Sequence, residues 1–215
     1  MKDCKREAIV RAAEKEFMQK GFEGARMMGI AKRAGVGHPL LHYHFSTKEA
    51  LFHHVVKEKM GLLSAAVQVS LDDSDKTLAE KLASAISSHF DFVRTHVDYI
   101  RFAIREMEKH PALFETAKSE AQVKLKGIVD KFQRELDAAA ERGEMPATDA
   151  ELLLEDMIAL NVFFHVAMPA LKNIKNSAID DSYYEKRKKE NVDLILHRLG
   201  LPQGGSIPVK NIVKY

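Results

Sequence analysis

Apolar residues recur every three to four positions along nearly the whole chain, and no stretch alternates with period two for long. That pattern predicts helices throughout and no sheet. Ile9, Ala13 and Phe17 share one face of a first helix over about residues 5–20, and Gly21 suits its end. Met27, Ile30, Ala31 and Ala34 stripe a second over about 26–34, which Gly35 stops. A short third covers about 38–44. The fourth opens at Ser46-Thr47-Lys48-Glu49, a capping-box pattern in which Ser46 caps forward and Glu49 reaches back, and runs through Leu51, Val55 and Leu62 to about residue 70. Asp72-Asp73-Ser74-Asp75 is a polar break. Further helices follow at about 76–94, 97–108, 112–142, 149–172 and 180–199. His110-Pro111 and Arg142-Gly143-Glu144-Met145-Pro146 separate two pairs of them. The chain after Pro202 is marked by Gly and Pro and reads as a loose tail.

The first three helices, short and joined by tight glycine turns, describe a helix-turn-helix. Ala34-Gly35-Val36 places a small residue at the end of the second helix, then a glycine where φ must be positive, then an apolar plug beneath the turn. Gly37 stands at the cap of the third helix. Pro39 lies in its first turn, where a missing N–H is harmless. Leu41 and Phe45 point inward, four residues apart, and leave His38, Leu40, His42, Tyr43 and His44 on the other faces.

Charge sharpens this reading. The whole chain carries a net charge of only +2, but residues 1–60 hold 12 Lys and Arg against 7 Asp and Glu, so the positive charge gathers at the helix-turn-helix end. Such an imbalance is the footprint of a polyanion partner, though ordinary surface charge would also produce it. An apolar fraction of 46% in 215 residues is enough for a real core and places the chain outside the disordered class. No run approaches the roughly 20 apolar residues of a membrane span, and no apolar leader follows Met1-Lys2-Asp3. The lone Cys4 cannot form an internal disulfide. The expectation is a cytoplasmic protein with no membrane partner.

From Ile9, Ala12, Ala13, Phe17, Gly21 and Phe22, through Ile30-Ala31-Lys32-Arg33-Ala34-Gly35-Val36, to Leu41-His42-Tyr43-His44-Phe45-Ser46-Thr47-Lys48-Glu49-Ala50-Leu51, the chain resembles the TetR family of bacterial regulators. The resemblance covers about residues 5–55. It departs from the family pattern at Ala25-Arg26 and at Gly37, where Thr or Ser usually opens a helix, and at His42, where Tyr is usual. Losing a capping hydroxyl costs about 1 kcal/mol.

The resemblance implies an all-α protein. Residues 1–50 would form a helix-turn-helix DNA-binding domain, 51–201 a helical ligand-binding and dimerisation domain, and 202–215 a flexible tail. The partners implied are a double-stranded operator with an inverted repeat, a second copy of the chain, and an unidentified small-molecule effector. Recognition helices read base edges from their N-terminal half. Here that half offers Gly37, His38, Pro39 and Leu40, with His42 following. Pro39 and Leu40 suit thymine methyls, and His38 suits guanine or adenine. Tyr43 and His44 resemble backbone-contacting positions, and Lys48 sits where helix amides also favour phosphate. Arg26 and Lys32, with Arg33, are further phosphate candidates. Each has a plainer reading as a packed or solvated surface residue.

In the body, Phe90, Phe102, Met107, Phe114, Phe132, Phe163 and His165 are candidates to line an effector pocket, against simple core packing. A buried Asn161 or His165 would need a partner, which a largely apolar ligand with one polar handle would supply. Residues 156–168 are apolar nearly all round, so that helix calls for burial by its own domain and by a partner. The expected mechanism is a repressor released by its ligand. Ligand binding would favour a dimer whose third helices no longer match major grooves about 34 Å apart, with the fourth helix as lever.

Rival readings are a helical enzyme, or a ligand-binding helical protein that keeps the fold without reading DNA. There is no glycine-rich phosphate loop, nucleophile elbow or HExxH, so no catalytic residue and no cofactor is assigned. His38 and His42 have metal-ligand spacing, but no carboxylate or thiol joins them, so no metal is expected.

Overall fold

The computed structural model describes residues 2–174 and 179–202. Among these, the regular elements are helical: α1 (Lys2–Gly24), α2 (Met27–Ala34), α3 (His38–His44), α4 (Lys48–Leu71), α5 (Leu78–Thr95), α6 (Val97–Lys109), α7 (Pro111–Glu141), α8 (Ala150–Ile158), a π-helical turn (Ala159–Phe163), α9 (Phe164–Ile174) and α10 (Asp181–Arg198). Most of the expected tail, 203–215, lies outside the described residues.

Three local features differ from the sequence expectation. First, α1 does not stop at Gly21. It breaks there, with φ at 72°, and resumes as far as Gly24. Second, the cap of α4 is Thr47 rather than Ser46: its Oγ1 accepts the Ala50 N–H at 3.1 Å. The position three residues on is then Ala50, which has no carboxylate to reach back. A reciprocal box stands instead at α5, where Thr77 Oγ1 accepts from the Glu80 amide at 3.3 Å and Glu80 Oε2 accepts from the Thr77 amide at 2.8 Å. Third, the long apolar helix after Asp149 is interrupted by the π turn, which inserts one extra residue and aims Asn161 inward.

The chain packs as two compact units. Among the described residues, the first comprises those within 1–65 and 92–128, the second those within 66–91 and 129–202. The packing boundary therefore does not fall at residue 50: most of α4, as far as Ala65, packs with the helix-turn-helix and α6. In the first unit Ile9, Ala13 and Phe17 of α1 meet Ile30, Leu41 and Phe52 from α2, α3 and α4, and Tyr99 and Phe102 from α6. Phe52 is the hub, edge-on to Phe17 and Phe22 at 5.2 Å each and to Phe114 at 5.5 Å. Such aromatic pairs add a little beyond the area they bury.

The second unit has two apolar clusters. Leu82 and Ile86 of α5, Phe132 and Leu136 of α7, Leu153 and Met157 of α8, Ile195 and Leu196 of α10, and Leu199 just after it form the larger. Phe90, Phe164 and Met168 form the smaller, with Tyr183 and Tyr184 packed against it. Ala150–Ile174 is long and apolar enough, by length and composition alone, to cross a membrane. Its buried Asn161 and His165, each hydrogen-bonded, mark it instead as a helix of a packed core.

Candidate nucleic-acid interface and effector cluster

The turn between α2 and α3 forms as its residues dictate. Gly35 takes φ 65° and ψ 34°, the left-handed conformation open to glycine, and the Val36 N–H donates back to Ala31 at 3.1 Å. Gly37 caps α3 without a side-chain bond, and Pro39 occupies the first turn. Leu41 and Phe45 are buried and anchor α3 from beneath. The opposite face carries His38, Pro39, Leu40 and His42, all exposed, and Tyr43 at 71% exposure. His44 is half-buried against the Tyr43 ring. The rings of His38 and His42 meet edge-on at 4.4 Å, and His42 Nδ1 lies 3.2 Å from the Ser46 carbonyl. Arg26 and Lys32 are exposed at the two ends of α2.

Three charged side chains of the same unit pack against these helices and the end of α1. Glu16 of α1 is buried and accepts from Lys20 at 2.5 Å and from Arg33 at 3.3 Å. The Lys20 hydrogen bond is the main cause that holds its carboxyl below the usual range, against the opposing effect of burial. Gly29 leaves room for this carboxylate: a Cβ there would lie 2.7 Å from Glu16 Oε1.

Lys48 is not turned wholly to solvent. Its Nζ donates to the carbonyl of Phe22 at 2.9 Å, approaches those of Glu23 and Ala25 at 3.4 Å, and lies 4.4 Å from the Phe22 ring centre. Glu106 of α6, also buried, accepts the Phe22 N–H at 2.8 Å. Sequence reasoning assigned no role to Glu16 or Glu106. The available signal for Glu106 was its place on the apolar stripe of α6 with Tyr99 and Phe102, where a carboxylate needs a donor.

The second unit buries a network of amides and imidazoles. Asn161, fully buried, donates to the Ile86 carbonyl at 3.1 Å and to His89 Nδ1 at 3.0 Å. It accepts from Asn191 at 2.8 Å through its side chain and from His165 Nδ1 at 2.7 Å through its carbonyl. Burial, with the neighbouring His165, pushes the His89 imidazole down to about 4, so it is neutral at physiological pH. Beside the network stand Phe90 at 4.4 Å from His165, Tyr184 stacked on His165 at 5.8 Å, and the Arg187 guanidinium 5.4 Å from the Phe164 ring centre.

Of the effector-pocket candidates, Phe90 and His165 are thus brought into contact. Phe132 belongs to the larger cluster of the second unit. Phe102 and Phe114 lie in the core of the first. Met107, at 49%, and Phe163, at 73%, are exposed in the single chain.

Residues 9–55 match the family of bacterial regulatory proteins named for tetR. The HTH-type transcriptional activator FasR of Mycolicibacterium smegmatis is 33% identical over 92 residues, which span 43% of this chain and 42% of that protein. Two solved structures share the fold over nearly the whole length. The Bacillus subtilis regulator FadR in complex with stearoyl-CoA has a TM-score of 0.68 at 19% identity, covering 89% of this chain and 98% of that one. AibR in complex with isovaleryl coenzyme A and operator DNA has a TM-score of 0.65 at 18% identity, covering 88% and 97%.

Proposed function

We propose that this chain, whose residues 9–55 match the tetR family of bacterial regulatory proteins, is a homodimeric transcriptional regulator that binds an inverted-repeat operator and is released from it by an acyl-CoA thioester. The observation that carries the DNA-binding part is α3 itself. It is anchored by Leu41 and Phe45, follows a left-handed Gly35 turn, and faces outward with His38, Pro39, Leu40 and His42. In this reading Gly37 to Leu40 meet base edges, while Arg26, Lys32, Tyr43 and His44 meet phosphates. The reading surface holds few bidentate hydrogen-bonders, so part of the specificity comes from DNA shape.

The same reading divides the chain by role, with residues 1–50 meeting DNA and 51–201 meeting effector and partner. A second copy covers the apolar residues left exposed on α8 to α10, among them Leu152, Phe163 and Leu194. The effector class is taken from the two acyl-CoA complexes and fits the chemistry beside Asn161. Phe90, Phe164 and Met168 suit an acyl chain. His165, Tyr184 and Arg187 suit its polar end. No catalytic role is assigned, and a regulator of chromosomal DNA acts in the cytoplasm.

Fluorescence anisotropy tests this reading, with a labelled duplex obtained by random-sequence selection and a scrambled control. Selective binding should weaken with log salt at about −0.9 per phosphate neutralised. Stearoyl-CoA or isovaleryl-CoA should release the duplex. Equal, weak binding to both duplexes would defeat the reading in favour of a helical protein that keeps the fold without reading DNA. Selective binding indifferent to both thioesters would keep the regulator and remove this effector class.

A further inference from the structure

The break in α1 at Gly21 takes the Phe22 N–H away from its helical acceptor, and the end of the helix at Gly24 leaves the carbonyls around it open. Two charged side chains from other helices meet them. Glu106 Oε2 takes the Phe22 N–H at 2.8 Å, and Lys48 Nζ takes the Phe22 carbonyl at 2.9 Å with those of Glu23 and Ala25 beyond. His110 closes the corner, with its ring 5.9 Å from that of Phe22 and its Nε2 3.8 Å from Glu23 Oε1. The fit at Gly21 is tight: a Cβ there would lie 3.1 Å from Glu106 Oε1, and φ is positive. Ala25 is buried, and Arg26, at the N-cap position of α2 without a side-chain cap bond, follows it, so this corner leads directly into α2.

Neither charge suits its own helix. Lys48 is the first residue of α4, at the end where the helix dipole disfavours a cation. Glu106 lies in the last turn of α6, where the dipole disfavours an anion. Each instead caps the broken end of α1. A charge set against its own helix and matched to another is what a positioning contact looks like.

We infer that Glu106 and Lys48 are positioning residues of the DNA-reading surface, which together clamp the Phe22–Ala25 corner and so orient α2 and α3, with Lys48 acting on backbone carbonyls rather than on a phosphate. The inference rests on the reading that α3 binds duplex DNA. It places Glu106, a residue of α6 and distant in sequence, among those that control operator affinity.

The test compares Glu106→Ala, Glu106→Gln and Lys48→Ala with wild type, and uses Glu108→Ala, exposed on the same helix, as control. Two readouts are taken: amide hydrogen exchange of peptides covering residues 22–45, and anisotropy on the selected duplex across a salt series. Glu106→Ala should speed exchange over 22–45 and weaken the duplex complex at least about tenfold, since a charge-assisted hydrogen bond is lost. Glu106→Gln keeps an acceptor oxygen for the Phe22 N–H and should recover most of both. Lys48→Ala should weaken binding while leaving the salt slope unchanged. A phosphate-contacting lysine would instead lower that slope by about 1. Wild-type exchange in Glu106→Ala, a Glu106→Gln variant no better than Glu106→Ala, or a reduced slope in Lys48→Ala would each overturn the inference. The exchange arm needs no DNA, so it decides the clamp even if no duplex is selected and the DNA-binding reading falls.

Discussion

Among the described residues, the buried charged side chains of the first unit are the carboxylates of Glu16 and Glu106, which meet lysine, arginine and backbone partners. In the second, the network around the π turn is made of amides and imidazoles: Asn161, Asn191, His89 and His165. The difference is one of tolerance. A carboxylate on a backbone N–H is a strong, directed contact that fixes a corner and survives over a wide pH range. A network of neutral groups in a dry interior holds only while every member is satisfied and no imidazole is protonated. The DNA-reading unit is therefore built for fixed geometry. The unit assigned to the effector is built so that a change at one polar group is felt by its neighbours on α5 and α10.

The largest expected effect breaks the network of amides and imidazoles at its centre. Asn161→Leu fits the apolar surroundings but leaves His89 Nδ1 and the Asn191 amide without their partner. Each buried group so orphaned costs about 1–3 kcal/mol, so a loss on the order of 4 kcal/mol is expected in urea unfolding. Hydrogen exchange should rise over α5 and α10 and stay at wild-type rates over residues 22–45. Equal loosening of both regions would mean that the two kinds of interior are not separable.

A second effect follows from proton linkage. The folded-state pKa of His89 is about 4, below the 6.5 of a free imidazole, because burial disfavours the charged form. The unfolded chain therefore binds more protons between these values. The contribution is fully present above pH 6.5 and is lost as pH falls toward 4, with a slope of up to about 1.4 kcal/mol per pH unit. Burial and Arg6 also hold His54 of the first unit below 6.5, so the informative quantity is the difference between wild type and His89→Gln. The variant should show a shallower slope between pH 6.5 and 4.5. Glu16 adds its own loss only below the 4.5 of a free carboxyl, since the Lys20 hydrogen bond lowers its pKa. Parallel slopes in the two proteins would remove His89 as the acid-sensitive group of the second unit.

How much of this was legible in the sequence depends on the range of the contacts involved. The helices and the Gly35 turn rest on residues within a few positions of one another, and the expected third helix coincides with α3 at both ends. The kink at Gly21 was legible only as a stop, because what lets the chain continue is Glu106, 84 residues from the Phe22 amide it accepts. The π turn was hidden for a similar reason: it exists to aim Asn161 at Ile86 and His89, which lie 75 and 72 residues away. Asn161 did stand out as a polar residue within an apolar run, and that local conflict pointed to the right place without revealing the geometry. Among the effector candidates, an aromatic ring at helical spacing could not be assigned to one core or the other. Phe102 and Phe114 belong to the first unit, and Phe90 and Phe132 to separate clusters of the second.

The smallest effect probes the first unit at the head of α4. Ser46 and Thr47 are adjacent hydroxyls, and either would satisfy a sequence rule for helix capping. In the structure it is Thr47 Oγ1 that accepts the Ala50 N–H. Thr47→Ala should therefore cost about 1 kcal/mol and Ser46→Ala only a few tenths. Because Lys48 is the next residue, fraying of this turn also loosens its hold on the Phe22, Glu23 and Ala25 carbonyls. Thr47→Ala should then show a small, selective rise in hydrogen exchange over residues 22–26 that Ser46→Ala does not. If the two variants lose equal stability, the head of α4 is not held by one side-chain cap. The fixed geometry of the first unit then rests on its buried charges alone.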